Sequence, residues 1–283
     1  MAGLSLLRPA SGNTYLQLSQ DTMVDMVKLG NTGLTVSRIA MGTGTKATNG
    51  RDSAQMRVAG LEGFKKQAHH AYERGIRFFD TAETYGSMPY VGESIKTLPR
   101  ENITILTKMW TQTRNSDPVT SIDDALDRYR QQLQTDYIDI LLMHCLQRGD
   151  WPVTCKPYMD LFSKAKQAGI LKKIGISSHN IDALREASTN PWVDVIMVRV
   201  NPFGTNMDGT PDEVKAILAT AKANGKGIIG MKIYGEGLHV SDEEREQTYR
   251  YAIKEEVVHS MTLGHESIEQ MDDAIERVMR IVS

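Results

Sequence analysis

The chain has 283 residues, a formal net charge of −2 and a hydrophobic fraction of 40%, which supports a sizeable core and provides no positive field for nucleic acid. No apolar run reaches the roughly 18 residues of a membrane-spanning helix. Two cysteines, Cys145 and Cys155, form no disulfide framework and lack the clustered spacing of a metal site, so a reduced, cytoplasmic setting is expected.

Residues 1–23 lack a basic start followed by a long apolar stretch and do not make a complete secretory signal. They are expected to be an extension outside a single domain of residues 24–283, with export after processing as the alternative to a cytoplasmic location. The segment Lys28-Leu29-Gly30-Asn31-Thr32-Gly33-Leu34-Thr35-Val36-Ser37 has two short strands about an Asn/Gly turn, the pattern of a β-hairpin. Ile39 to Gly44 is a small strand ending in glycines, followed by a polar stretch with Asn49, Gly50 and Arg51.

Helical and strand patterns then alternate to the end. Gly63 to Arg74 has the pattern of a helix closed by Gly75, then Ile76 to Phe79 of a strand running into Asp80. Ile103 to Thr107 is a strand leading to Lys108. Asp117-Pro118 marks the start of a helix carrying Ile122, Ala125, Leu126, Tyr129 and Leu133 on one face. Tyr137 to Met143 is a strand ending at His144, and Tyr158 to Ala168 a helix stopped by Gly169. The unit recurs: strands at Leu171–Ile176, Val193–Val198, Gly227–Met231 and Val257–Leu263 alternate with helices from Ile181, Thr210, Ser241 and Ser267. Thr210-Pro211-Asp212-Glu213 and Ser241-Asp242-Glu243-Glu244 are capping boxes.

Counted from Ile39, there are eight strand–helix units. Apolar strands alternating with amphipathic helices mean an α/β protein with a parallel sheet, and eight units close into a (β/α)8 TIM barrel. An open doubly wound sheet is the alternative. Against it, Gly42 and Gly44 are followed by Lys46-Ala47-Thr48 and make no GxGxxG phosphate turn. The hairpin is expected to plug the barrel base.

In such barrels, chemistry sits at the C-terminal strand ends. Those ends bring Asp80, Lys108, His144 and Ser177-Ser178 in succession, with Tyr85 in the loop after Asp80. An Asp–Lys ion pair and a buried histidine also occur as purely structural features. Three titratable groups of different types ending consecutive apolar runs beside a tyrosine point instead to a proton-transfer site.

The hairpin, the stretch Asp80-Thr81-Ala82-Glu83-Thr84-Tyr85-Gly86, the strand end Leu106-Thr107-Lys108 and the run Asp139-Ile140-Leu141-Leu142-Met143-His144 together resemble the aldo-keto reductase superfamily, from about Lys28 to Val282. The resemblance implies a catalytic tetrad of Asp80, Tyr85, Lys108 and His144. A tyrosine of ordinary pKa near 10 is a sluggish proton donor–acceptor, and an ammonium beside it is expected to lower that value. Lys108 supplies this charge, Asp80 keeps Lys108 charged and oriented, and His144 binds the substrate oxygen.

No side chain supplies a hydride, so a nicotinamide cofactor is implied. The resemblance assigns the carboxamide to Ser177 and Ser178, with a looser match at Asn201. It places Met231 and Lys232 where the family commonly stacks an aromatic ring, Met231 covering the nicotinamide and Lys232 meeting phosphate or substrate. At the adenine end, Gly264, His265, Glu266 and Gln270 stand where the family often has a Lys-Ser pair and an arginine. The resemblance favours NADP(H), and those replacements leave NAD(H) open. Only Ser283 follows Val282, so the pocket is expected from loops carrying Tyr90, Trp110 and Trp151 rather than from a long C-terminal segment.

The resulting expectation is a nicotinamide-dependent oxidoreductase interconverting an aldehyde or ketone, a sugar or other polar carbonyl among them, with its alcohol. The partner is a small molecule, with neither nucleic acid nor membrane expected and oligomeric state open. Alternatives are a cofactor-sensing regulatory protein with slow turnover, and a Schiff-base lyase using Lys108 or Lys232.

Overall fold

The computed structural model describes residues 22–45, 53–111 and 122–283. Residues 1–21 of the extension, the polar stretch at 46–51 and the helix start at Asp117-Pro118 lie outside the described residues. Eight parallel strands close a barrel: β3 (Ile39–Gly42), β4 (Phe78–Asp80), β5 (Thr104–Trp110), β6 (Ile138–Leu146), β7 (Leu171–Ser178), β8 (Val195–Arg199), β9 (Gly227–Met231) and β10 (Ser260–Leu263). Closure comes from β10, which pairs with β3 through Met261 and Ile39 and with β9 through Met261 and Gly230.

Two core layers follow from the strand period of two. Ala40, Phe78, Leu106, Ile140, Leu142, Val195, Met197 and Ile229 fill the barrel interior. Their neighbours Ile39, Met41, Phe79, Ile105, Leu141, Ile196 and Ile228 face the helical shell. Continuing the inward register by two residues takes Phe78 to Asp80, Leu106 to Lys108 and Leu142 to His144. The apolar pattern of the interior therefore aims these three side chains at the barrel mouth.

The hairpin strands β1 (Met26–Lys28) and β2 (Thr35–Ser37) pair antiparallel. Leu29 and Val36 are fully buried and join the inner layer. Asn31 N–H donates to Gly225 O at 2.9 Å, just before β9, which seats the hairpin on the N-terminal end of the barrel as a plug.

The shell consists of α1 (Ala54–Glu73), α2 (Met88–Ile95), α3 (Ile122–Leu133), α4 (Trp151–Thr154), α5 (Lys156–Gln167), α6 (Ile181–Thr189), α7 (Pro211–Ala223), α8 (Asp242–Ile253) and α9 (Ile268–Val282). Both expected capping boxes form: Thr210 and Glu213 start α7, and Ser241 and Glu244 start α8. Two helices differ from expectation. Helix α1 begins nine residues before Gly63 and bends at Gly60, where φ is 61°; the glycine obscures the period of the first turns. Met88-Pro89-Tyr90 is the first turn of α2 rather than loop, with proline in the place a helix start tolerates. Among the described residues, no helix is long and apolar enough to cross a membrane.

Candidate active site

Asp80 is the hub of the barrel mouth. Its Oδ1 accepts from Lys108 Nζ, and its Oδ2 accepts from Thr262 Oγ1 at 2.8 Å. Lys108 Nζ also donates to Thr81 O at 2.9 Å and stands 3.5 Å from Tyr85 Oη. Asp80 and Lys108 are buried, so their charges meet with little solvent screening. A hydroxyl chain holds the backbone around them: Thr43 Oγ1 donates to Asp80 O at 2.9 Å, and Ser87 Oγ lies 2.7 Å from both Thr43 Oγ1 and Thr81 Oγ1.

Tyr85 closes a 3-10 turn (Glu83–Tyr85) ended by Gly86 at φ 69°. Its ring packs on Gly44, where an added Cβ would stand 2.5 Å from Tyr85 Cε2. His144 completes the group, its ring edge-on to Tyr85 at 5.6 Å and to Trp110 at 5.7 Å. Asp80, Tyr85, Lys108, His144 and Trp110 are thus brought together. The arrangement presents a phenol, an imidazole and a buried ammonium to one space, the equipment for moving a proton to or from a substrate oxygen.

The electrostatics depart from expectation at one point. Burial raises the Tyr85 phenol above its ordinary value, and the opposing ammonium of Lys108 does not overcome it. Burial is the larger effect, and the Asp80 carboxylate, ion-paired with Lys108, adds to the rise. Burial works against the charge on Lys108, but the Asp80 carboxylate and the Tyr85 oxygen together more than restore it, and its pKa lies above the usual value.

The expected cofactor residues are mostly engaged with their own loops. Ser177 Oγ accepts the Cys145 N–H at 2.9 Å, and Ser178 Oγ donates to Asn180 O at 2.9 Å. The Asn201 amide donates to Thr205 O and accepts from Phe203 N–H and Thr205 N–H. Met231 belongs to the inner barrel layer, and Lys232, at φ 53°, pairs with Glu236 at 2.5 Å rather than standing free for phosphate.

Between β10 and α9, an added Cβ on Gly264 would stand 2.1 Å from Thr45 Oγ1, which explains the absence of a longer side chain there. His265 is 3% exposed, and among the described residues both its ring nitrogens lack a hydrogen-bond partner. Burial lowers it to about 4, so the ring is neutral near pH 7. Ser53 Oγ, Gln55 Oε1 and Gln67 Oε1 are also buried without partners among the described residues, and the amide groups of Gln55 and Gln67 donate to His265 O and Glu266 O. Gln270 Oε1 accepts the Glu266 N–H at 2.9 Å, and both residues are exposed. These orphaned donors and acceptors suit the uncharged polar groups of a dinucleotide; the segment Gly264–Gln270 carries no lysine or arginine for an additional phosphate.

Two pocket expectations are corrected. Trp151 is 1% exposed, donates from Nε1 to Ala183 O at 3.3 Å and packs against Trp192, so it anchors the helical shell. Tyr90 packs edge-on against Phe64 of α1 at 6.2 Å, where α1 and α2 meet. Conversely, Thr262 and Glu83 touch the site's framework without having been singled out. Thr262 was signalled by a hydroxyl at an inward position of an apolar strand, and Glu83 by an acid in the Tyr85 turn.

A family model described as the aldo/keto reductase family matches residues 39–282. Methylglyoxal reductase DkgB of Salmonella typhi is 29% identical over 179 residues, 61% of this chain and 62% of that protein, so the alignment spans under two thirds of this relative. L-galactose dehydrogenase of Arabidopsis thaliana is 27% identical over 226 residues, 77% of this chain and 67% of that one. A solved structure from Pseudomonas aeruginosa, assigned as an aldo-keto reductase, superposes with a TM-score of 0.76 at 19% identity, covering 93% of this chain and 98% of that one. That last likeness concerns the fold. With the family pattern running from the first barrel strand to the last helix, the chain belongs to the aldo/keto reductase family.

Proposed function

We propose that this protein is a nicotinamide-dependent oxidoreductase that interconverts a small polar aldehyde or ketone with its alcohol. The observation that carries this reading is the Asp80–Lys108 pair set beside Tyr85 and His144 at one end of the barrel. A bound dinucleotide supplies or takes up the hydride. Ser177, Ser178 and Asn201 are the groups for its carboxamide, and the β10–α9 turn with His265 and Gln270 for its far end, as NADP(H) or NAD(H).

His144 and Tyr85 bind the substrate oxygen and oppose the charge that develops there. Tyr85, kept protonated by its burial, delivers a proton to that oxygen in the reductive direction and takes it back in the oxidative one. Lys108 stabilises the phenolate left behind, and Asp80 with Thr262 keeps Lys108 charged and aimed. Trp110 covers the space beside His144 and excludes water. Methylglyoxal, named for one relative, and L-galactose, named for another, are both small polar carbonyl compounds, which supports that substrate class. A cytoplasmic location fits Cys145 and Cys155, both of which are reduced thiols.

A Schiff-base mechanism needs a neutral amine, whereas Asp80 holds Lys108 as an ammonium. The test is a fluorescence titration with NADPH and NADH separately, then a panel of small aldehydes and sugars with the tighter cofactor. Turnover that Tyr85→Phe lowers by about 10²- to 10⁴-fold with little change in cofactor affinity supports the enzyme. Tight cofactor binding with no turnover on any carbonyl supports the sensor.

A further inference from the structure

No residue of the turn that carries Tyr85 is wholly buried, although the Tyr85 phenol itself packs inward. A catalytic phenol on such a turn needs an anchor elsewhere, because rotation of the turn moves its oxygen relative to Lys108. Glu83, the turn's first residue, supplies one. Its Oε1 accepts the backbone N–H of Trp110 at 2.7 Å, two residues beyond Lys108 on β5. Its Oε2 accepts the phenol of Tyr129, a fully buried residue of α3, with Arg128 Nη2 at 3.6 Å. Burial, reinforced by Glu83, raises the Tyr129 phenol, so it remains a donor throughout the working range.

We propose that Glu83 is a positioning residue for carbonyl reduction: its carboxylate ties the Tyr85 turn both to the strand end bearing Lys108 and Trp110 and to the wall formed by Tyr129. This inference rests on the reductase reading above. Three groups are set by the one carboxylate. Tyr85 is held 3.5 Å from Lys108, Trp110 is held edge-on to His144, and Thr84 Oγ1 is left 3.5 Å from His144 Nδ1. Misplacement of a reacting group by about 1 Å can cost on the order of 100-fold in rate, so loss of this tie acts on turnover more than on binding.

The chemistry of the pair provides a graded test. In Glu83→Gln the amide oxygen accepts Trp110 N–H and the NH2 group donates to Tyr129, whose phenol oxygen can accept. Both links survive. Tyr129→Phe removes one of them, and Glu83→Ala removes both. Two readouts are taken on the full chain: steady-state kinetics with a small aldehyde, and the 13C-tyrosine NMR signal of Tyr85, assigned by its loss in Tyr85→Phe. The expected kcat loss is roughly 10- to 100-fold for Glu83→Ala, smaller for Tyr129→Phe and within about twofold for Glu83→Gln, with KM and cofactor affinity little changed. The Tyr85 signal shifts or broadens in the same order.

A merely structural brace would lower the unfolding temperature and leave both readouts unmoved. Wild-type kcat with an unshifted Tyr85 signal in Glu83→Ala overturns the proposal. Should that variant fail to fold, the same result in Tyr129→Phe overturns it. A wild-type protein that reduces no carbonyl removes the reductase reading, and the NMR series still decides whether Glu83 positions Tyr85.

Discussion

Thr262 Oγ1 donates to Asp80 Oδ2 at 2.8 Å, across the seam where the last barrel strand meets the first. Lys108 takes the other carboxylate oxygen, so both oxygens of this buried acid are used. Thr262→Val keeps the shape and deletes the donor, leaving one oxygen of a buried carboxylate unsatisfied. Unsatisfied buried groups cost about 1–3 kcal/mol, and urea unfolding should show a loss of that size. Carbonyl turnover should fall with it, because Asp80 then orients Lys108 less firmly. A stability and a rate equal to wild type would remove Thr262 from the site's framework.

Phenol and ammonium here are both shifted upward, and that sets the pH dependence of the proposed reduction. Burial raises Tyr85 in spite of Lys108, and Asp80 raises Lys108 in spite of burial. The proton donor therefore stays loaded and the ammonium stays charged beyond the ordinary tyrosine range. With saturating cofactor and substrate, kcat for reduction should show no alkaline loss until above about pH 10. In Asp80→Asn the Lys108 ammonium loses its partner, burial dominates, and the alkaline loss should move to lower pH. An alkaline limb near neutrality in the wild type would contradict the burial of Tyr85.

How much of this site was readable in the chain depended on the range of the interaction. Asp80, Lys108 and His144 follow from strand period alone, because each continues the inward register of an apolar run. The Thr262 contact spans 182 residues, and only barrel closure brings it to Asp80. Trp151 and Tyr90 sit close in sequence to mouth loops, yet side-chain direction is decided by packing, and both turn toward the helical shell. The sign of the Tyr85 shift was missed for a related reason. The spacing placed an ammonium near the phenol but gave no measure of how strongly burial opposes it. Eight strand–helix units were clear, while the start of α1 was concealed by the bend at Gly60.

At the β10–α9 turn, Gln270 lies in the first turn of α9 and occupies an exposed position. An arginine there adds a planar cation able to grip a phosphate in bidentate fashion. Gln270→Arg should tighten NADPH binding by about tenfold, the effect of one charge-assisted hydrogen bond, and leave NADH binding nearly unchanged. Fluorescence titration of both dinucleotides against wild type and variant reads this directly. Equal tightening of both would show that position 270 senses the shared phosphates, and no change in either would place it away from the dinucleotide.

His265 makes the fold sensitive to acid. Its ring is buried without partners among the described residues and its value falls from 6.5 to about 4, so between those values the unfolded chain binds a proton that the folded chain does not. Stability accordingly falls as pH drops through about 6.5, and the loss is complete only below about pH 4. The shift corresponds to about 3 kcal/mol. His179, lowered to about 3, acts in the same direction, as do the lowered carboxylates, so the contribution of His265 must be isolated by difference. In His265→Gln a polar side chain remains but nothing titrates there. Comparing urea unfolding at pH 7 and pH 4.5, the variant should lose about 2–3 kcal/mol less than wild type. An equal loss in the two proteins would mean that the imidazole takes up its proton without leaving its buried place.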